Sequence, residues 1–240
     1  MVAFSGSDPI GVLIGAKRPS GTRVHKIAVH PEHRRQGHGR HLLTSLGSKL
    51  AILGPPRIIA EVPETLAHTC ELFSASGYVQ EALLTDYVLQ REENDAIGTA
   101  GMSGDLGGRF VIPVTVDDLA ANGLLEEAHP QVCWKRSVQT LTARKDDIAG
   151  LAVASEERIE AYLLYVTHAE EGTEIVSLRS FIEDGGARLM RLLSQLRAQG
   201  MWTFRFPKVH PAEISKELLE TLGLRPAGGH RLYAAMARAN

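Results

Sequence analysis

The chain has little cysteine, few aromatic side chains and no long apolar run, and each shortage excludes something. Cys70 and Cys133 are the only two cysteines. That is too few, at too wide a spacing, for a disulfide framework or a thiolate metal site, so the sequence points to a reducing compartment, the cytoplasm. No stretch approaches the ~18 consecutive apolar residues of a membrane-spanning helix, and the opening MVAFSGSDPIG lacks a basic segment followed by an apolar one. Aromatic residues make up 5% of the chain. None falls between Lys17 and Arg40, the most basic stretch. Single-stranded nucleic acid is held by base stacking on aromatic platforms as well as by charge, so nucleic acid is not expected as a partner. A formal net charge of -2 leaves no global field for a polyanion. His168, His210 and His230 show no ligand spacing, and no metal is expected. Trp134 and Trp202 read as core residues, and Lys135 with Arg136 as a solvated face.

What the chain does have is 44% hydrophobic residues arranged in two similar series. Residues 94–108, NDAIGTAGMSGDLGG, read as a linker between domains 1–93 and 109–240. In the first, strand-like runs at 2–5, 10–16 and 24–29 suggest an antiparallel meander. A helical period then places Leu42, Leu43, Leu46, Leu50 and Leu53 on one face, stopped by Gly54-Pro55-Pro56. A strand (57–62), a helix (65–76) ended by Gly77, and one or two strands (78–89) follow. The second domain repeats the order: strands at 148–153, 159–166 and 174–179, a helix at 187–199, a strand at 202–206, a helix at 212–222 and a strand at 231–236. The two long helices even share wording, LLTSL and LLSQL. The second copy alone opens with a further strand and helices, within 110–145. The fold class expected is α/β with a mixed sheet, an α+β arrangement, in two tandem copies.

The stretch HRRQGHGR, residues 33–40, joins the third strand to the first long helix. The first four N–H groups of a helix lack internal partners and the helix dipole adds positive charge there, so such a junction attracts anions. Gly37 and Gly39 permit close approach to the backbone, and Arg34, Arg35 and Arg40 offer charge-assisted contacts. A compact diphosphate suits this geometry.

With its flanks, IAVHPEHRRQGHG resembles the acetyl-CoA-binding motif of the GNAT superfamily of N-acetyltransferases, R/Q-x-x-G-x-G/A after a strand ending in Ala-Val-x-Pro. Arg34, Gly37 and Gly39 fill the defining places, and Leu72-Phe73 with Gly77-Tyr78 resembles the family's later signature. The resemblance covers about residues 2–90, and the second copy is similar in element order only. It implies two tandem GNAT-like domains. It further implies that the backbone of Ile27, Ala28 and Val29 pairs with a pantetheine arm, an N–H there facing the developing oxyanion. Arg35, Gln36, Gly37, His38, Gly39 and Arg40, with Arg34, would hold the pyrophosphate of acetyl-CoA, and Phe73 would line the same site. The acetyl group would pass to a primary amine by direct attack, with no metal and no acyl-enzyme.

The pattern is incomplete in places. An attacking amine with a pKa of ~10 must lose a proton, yet no carboxylate lies between Thr22 and Val29. His25 is the first candidate base and His30 the second. Phe73 stands where the family commonly has a proton-donating tyrosine, and Leu66 where it often has asparagine. Proton delivery then falls to water, to the thiolate itself, or to Tyr78 or Tyr87. In the second copy the loop reads FIEDGGA, with Ile182 in the arginine place and Glu183 and Asp184 where phosphates would lie, so that domain is expected to lack cofactor. The acceptor, a small molecule or a peptide amine, is not specified by the sequence, and a homo-oligomer is left open. Because the first copy lacks the opening helices, its acceptor pocket is expected to be completed by the second segment. A non-catalytic acetyl-CoA or CoA sensor is the rival reading.

Overall fold

In a computed structural model of the chain, residues 1–90, 109–125, 133–170 and 172–238 are described. The expected linker, 94–108, lies outside them. Two compact units are formed, one of Met1–Leu84 with Gly228–Asn240 and the other of Thr85–Ala227.

The first unit opens with the expected meander, β1 (Val2–Ser5), β2 (Asp8–Arg18) and β3 (Gly21–Val29), antiparallel throughout. Next come α1 (His38–Leu53), β4 (Arg57–Pro63), α2 (Ala67–Ala75) and the start of β5 (Val79–Leu89). Leu42, Leu43, Leu46 and Leu50 of α1 are buried on one stripe. They pack on Leu13, Val24, Ile58, Ala60, Val62 and Phe73, each buried leucine contributing roughly 1.5–3 kcal/mol. Leu53, placed in that stripe by the sequence pattern, is exposed instead, because the helix ends there at the extended Gly54.

One strand of this sheet comes from the far end of the chain. β11 (Arg225–Met236) runs antiparallel to β4, from His230 opposite Pro63 to Met236 opposite Arg57, and brings Tyr233 into the first core. The strand order of the first unit is therefore β1-β2-β3-β4-β11 and then β5. The units do not part at one point near residue 100, as the reading 1–93 and 109–240 supposes. The first yields residues 85–89 and takes in the chain from Gly228. Strand pairing is not local in sequence, which is why periodicity alone could not assign β11.

The second unit has β6 (Phe110–Pro113), α3 (Val116–Ala121), α4 (Val138–Ala143), β7 (Ala149–Ala154), β8 (Ile159–His168), β9 (Gly172–Ser180), α5 (Ala187–Ala198), β10 (Phe204–Val209) and α6 (Lys216–Thr221). Residues 85–89 of β5 pair with β10, and the order continues β9-β8-β7-β6. Thr115 and Asp118 close α3 with a capping box, while Ser137 and Ser215 cap α4 and α6. Leu189, Leu192, Leu193 and Leu196 of α5 cover one face of the sheet with Phe204 and Phe206. Val116, Leu119 and Leu141 form a separate cluster with Ala152, Tyr162 and Leu164. Arg136 is not part of a solvated face. It is buried, its Nε 2.7 Å from Glu213, its Nη1 donating to the Pro207 carbonyl at 2.7 Å and its guanidinium 4.9 Å over the Phe206 ring. Pairing and cation–π contact make that burial tolerable.

Candidate functional site

β3 and β4 are parallel neighbours that touch only at their beginnings. Thr22 pairs with Ile58 and Arg23 with Ile59, although β3 continues to Val29 and β4 to Pro63. The separation coincides with a bulge: Gly15 lies opposite Val24 and Ile14 opposite Lys26, so His25 is the extra residue. A bulge bends and twists its strand. Beyond it, β3 keeps its β2 partners, with Leu13, Val12 and Gly11 opposite Ile27, Ala28 and Val29. Its other edge has no strand partner among the described residues. An extended ligand with amide groups could add to that edge.

The loop that follows aims its donors at the same end. A turn of 3-10 helix (Pro31–His33) leads to Arg35 at φ 62 and Gly37 at φ 87, the left-handed region in which glycine is favoured. Helix α1 starts at His38, and the N–H of His41 donating to the Gly37 carbonyl at 2.9 Å is its first internal bond. Among the described residues no side chain caps this end, and no acid lies in the first turn, so the N–H groups of His38, Gly39 and Arg40 have no helical acceptor.

The two glycines, alike in the motif, do different work. Gly37 is needed for its conformation, since a Cβ there would meet nothing within 4 Å. Gly39 is needed for packing, because a Cβ would lie 3.1 Å from Leu72 Cδ2 on α2. Among the loop side chains, Arg34 Nε donates to the Val29 carbonyl at 3.0 Å and Gln36 Nε2 to the Glu32 carbonyl at 3.0 Å. The Arg35 guanidinium reaches His68 Nδ1 at 3.1 Å and Glu71 at 3.9 Å. Arg40 is exposed, and the rings of His30, His33 and His38 follow one another at 5.9 and 6.1 Å.

The expected proton carriers fare unevenly. His25 is exposed on the bulge and His30 closes the end of β3, its N–H donating to the Ile10 carbonyl at 2.8 Å. Phe73, expected to line the cofactor site, is a core residue, 2% exposed, edge-on to Tyr78 at 5.1 Å and stacked on Tyr233 at 5.7 Å. Packing wins because its ring carries no polar atom to draw it toward a cleft. Tyr78 is buried, its hydroxyl has no partner among the described residues, and burial pushes its pKa up to about 12. Tyr87 lies in the core of the second unit. Sequence reasoning passed over Glu61, whose carboxylate is buried on β4 and pairs with Arg23 at 3.4 Å, one alternation past the last β3–β4 pair. The available signal was a lone carboxylate inside the apolar run 57–62. Among the described residues no cluster could hold a metal ion, and no helix is long and apolar enough to cross a membrane.

The second unit repeats the geometry and fills it. β9 and β10 are parallel and pair only at Thr173 with Phe204 and Glu174 with Arg205. Gly186 precedes α5 at φ 90, ψ 7. Here Asp184 supplies its own anion: its carboxylate accepts the N–H of Gly186 and of Arg188, both at 3.0 Å, and the Arg188 guanidinium at 2.6 Å. Burial works against the charge on Asp184, but the Arg188 side-chain and backbone donors outweigh it and hold the carboxyl below its usual range. Arg188 Nε also meets Glu160 at 2.8 Å, which Arg109 reaches at 2.7 Å.

Residues 1–80 match the family model described as "Acetyltransferase (GNAT) domain". No curated protein matches the sequence. Among solved structures, a tandem GNAT protein from the clavulanic acid biosynthesis pathway is similar over 100% of this chain and 82% of its own, with TM-score 0.68 and 18% identity. A GCN5-related N-acetyltransferase from Sphaerobacter thermophilus is similar over 97% and 78%, with TM-score 0.64 and 13% identity. At such identities the likeness speaks for the fold. With its parted parallel strands and uncapped helix, residues 1–80 match the GNAT acetyltransferase domain, and the fold of the chain is like that of a tandem GNAT protein.

Proposed function

We propose that the first unit binds acetyl-CoA and transfers its acetyl group to a primary amine within a ternary complex. The observation that carries this reading is the meeting of an unpaired β3 edge, residues 27–29, with an uncapped α1 N-terminus. The edge suits the amides of a pantetheine arm, and the N–H groups of His38, Gly39 and Arg40 with the Arg34, Arg35 and Arg40 side chains suit a pyrophosphate. Bound acetyl-CoA supplies an acetyl group already activated as a thioester. The chain orients it along the edge, and an N–H of that edge donates to the acyl oxygen as negative charge develops. His25, with His30 as second choice, takes the proton of the attacking amine. Water, or the departing thiolate itself, completes the proton balance, since Tyr78 and Tyr87 are both buried.

The second unit, in this proposal, binds no cofactor, because the Asp184 carboxylate already satisfies the amides that a phosphate would need. One acetyl-CoA per chain is expected by calorimetric titration, with thiol release on adding an acceptor amine. Binding of one equivalent without thiol release from any amine would favour a CoA-binding sensor, a reading supported by Phe73 in the tyrosine place. Absence of binding would overturn both.

A further inference from the structure

Leucines of α1 fill one side of the first unit's sheet, which leaves an acceptor the other side. Leu13, Val24 and Ile27 face α1 in the first core, so their neighbours in the strand alternation face the other way. Around the point where β3 leaves β4, those outward side chains are Ile14, Lys26, Arg23 and Glu61, with His25 on the bulge beside them. Arg23 and Glu61 form an ion pair at 3.4 Å and offset one another. Lys26 is exposed and has no ion-pair or hydrogen-bond partner among the described residues. It is paired across the strands with Ile14, itself 47% exposed. Two residues further along β3, a distance of about 7 Å, lies Ala28 of the open edge.

We propose that the amine acceptor carries an anionic group of its own, a carboxylate or a phosphate, which Lys26 receives while the amine meets the acetyl group at the 27–29 edge. This rests on the acetyltransferase reading and names the substrate class it left open. The same charge acts against polyamines and other polycations: an extra ammonium placed about 7 Å from the reacting nitrogen would be driven onto the Lys26 ammonium. Between a partly exposed charge pair at that range the interaction changes binding by about three- to tenfold, and salt screens it.

The test uses three acceptors of one chain length, 4-aminobutyrate, n-butylamine and 1,4-diaminobutane, with the whole chain and acetyl-CoA, reading thiol release at low ionic strength. The expected order of kcat/KM is carboxylate, then methyl, then ammonium, each step about three- to tenfold. The order narrows in 0.5 M salt. Lys26→Gln collapses it and Lys26→Glu inverts it, whereas a merely structural lysine would lower all three alike. A 4-carbon aminophosphonate separates phosphate from carboxylate preference. A wild-type order with the diamine first, or an order untouched by both Lys26 variants, overturns the proposal. If acetyl-CoA binds and no amine turns over, the transferase reading fails. The charge proposal is then decided by the same ranking measured as acceptor binding to the CoA-saturated protein.

Discussion

Gly37 and Gly186 hold the same backbone conformation, φ 87, ψ -6 and φ 90, ψ 7, at the start of α1 and of α5. What differs is the oxygen that faces the next amides: none from a side chain in the first case, the Asp184 carboxylate in the second. Replacing Gly37 by Glu together with Arg34→Ala is expected to weaken acetyl-CoA binding by about tenfold or more, through like charge, strain and a lost guanidinium. Both positions are exposed, so far-ultraviolet circular dichroism should stay as in the parent. Unchanged affinity in calorimetry would remove the loop from the site. Asp184→Ser, as the comparison, should leave both affinity and stoichiometry alone.

The Asp184 contacts make a statement about pH. Donors from Arg188 and Gly186 keep the carboxyl below its usual range in the fold despite burial, and Arg188 first, then Arg109, do the same for Glu160. Their contribution is complete above the unfolded values, ~3.9 and ~4.3, and disappears as pH falls through the lower folded values. Asp184→Ser keeps a capping oxygen and loses the charge. It should cost about 1–3 kcal/mol at pH 7 by urea unfolding. The gap between variant and parent should begin to narrow below about pH 4 and close only as pH falls through the lower folded value. A gap that does not narrow at all between about pH 5 and about pH 2 would mean that the carboxylate charge is irrelevant.

Tyr78 gives the opposite limb. Its hydroxyl is buried without a partner among the described residues and its pKa is raised by burial to about 12. The stabilising neutral form is fully favoured below the unfolded value of ~10, and stability is lost as pH climbs through 12. Tyr78→Phe removes the unmet hydroxyl and should stabilise the chain by about 1 kcal/mol at pH 7, and by more at pH 11. Thermal denaturation at the two pH values reads both. Acetyl transfer should survive the change, which would exclude Tyr78 as the proton donor.

Gly150 on β7 is a packing glycine. A Cβ there would come within 2.7 Å of the Val114 carbonyl oxygen and 2.6 Å of Leu164 Cδ2. Gly150→Ala should therefore destabilise the chain by about 1–3 kcal/mol. Chemical denaturation checks it, with Gly47→Ala as the control, where a Cβ would meet nothing within 4 Å.

The meander, α1, β4, α2 and their repeat in the second unit were legible because alternation and the 3.6-residue period are local properties. So was the loop at 33–40, where glycines, arginines and a strand-to-helix junction coincide. Three features were hidden by their dependence on distant residues. Nothing in Arg231 or Tyr233 says that their strand belongs beside β4. Arg136 looks like a surface cation until Glu213 and the Pro207 carbonyl come to meet it. Asp184 was recognised as a poor neighbour for phosphate, but its role as the anion in place of phosphate needed the backbone donors of Gly186 and Arg188. Phe73 was assigned by its place in a signature, and the core claimed it.

The placement of β11 also sets a timetable for synthesis. The first unit's residues up to Leu84 are made first, but its remaining strand emerges only after the 143 residues of Thr85–Ala227. At a ribosomal rate of about 5–20 residues per second that is a wait of roughly 7–29 s. During it β4 has no β11 to pair with, and Ile58, Ala60 and Val62 lack the cover of Tyr233. A nascent chain stalled before residue 225 should be cut readily by protease within residues 1–84, and the same residues should become resistant once β11 has emerged. β11 thus acts as a clasp by which an earlier-made part of the first unit is closed by a later-made one.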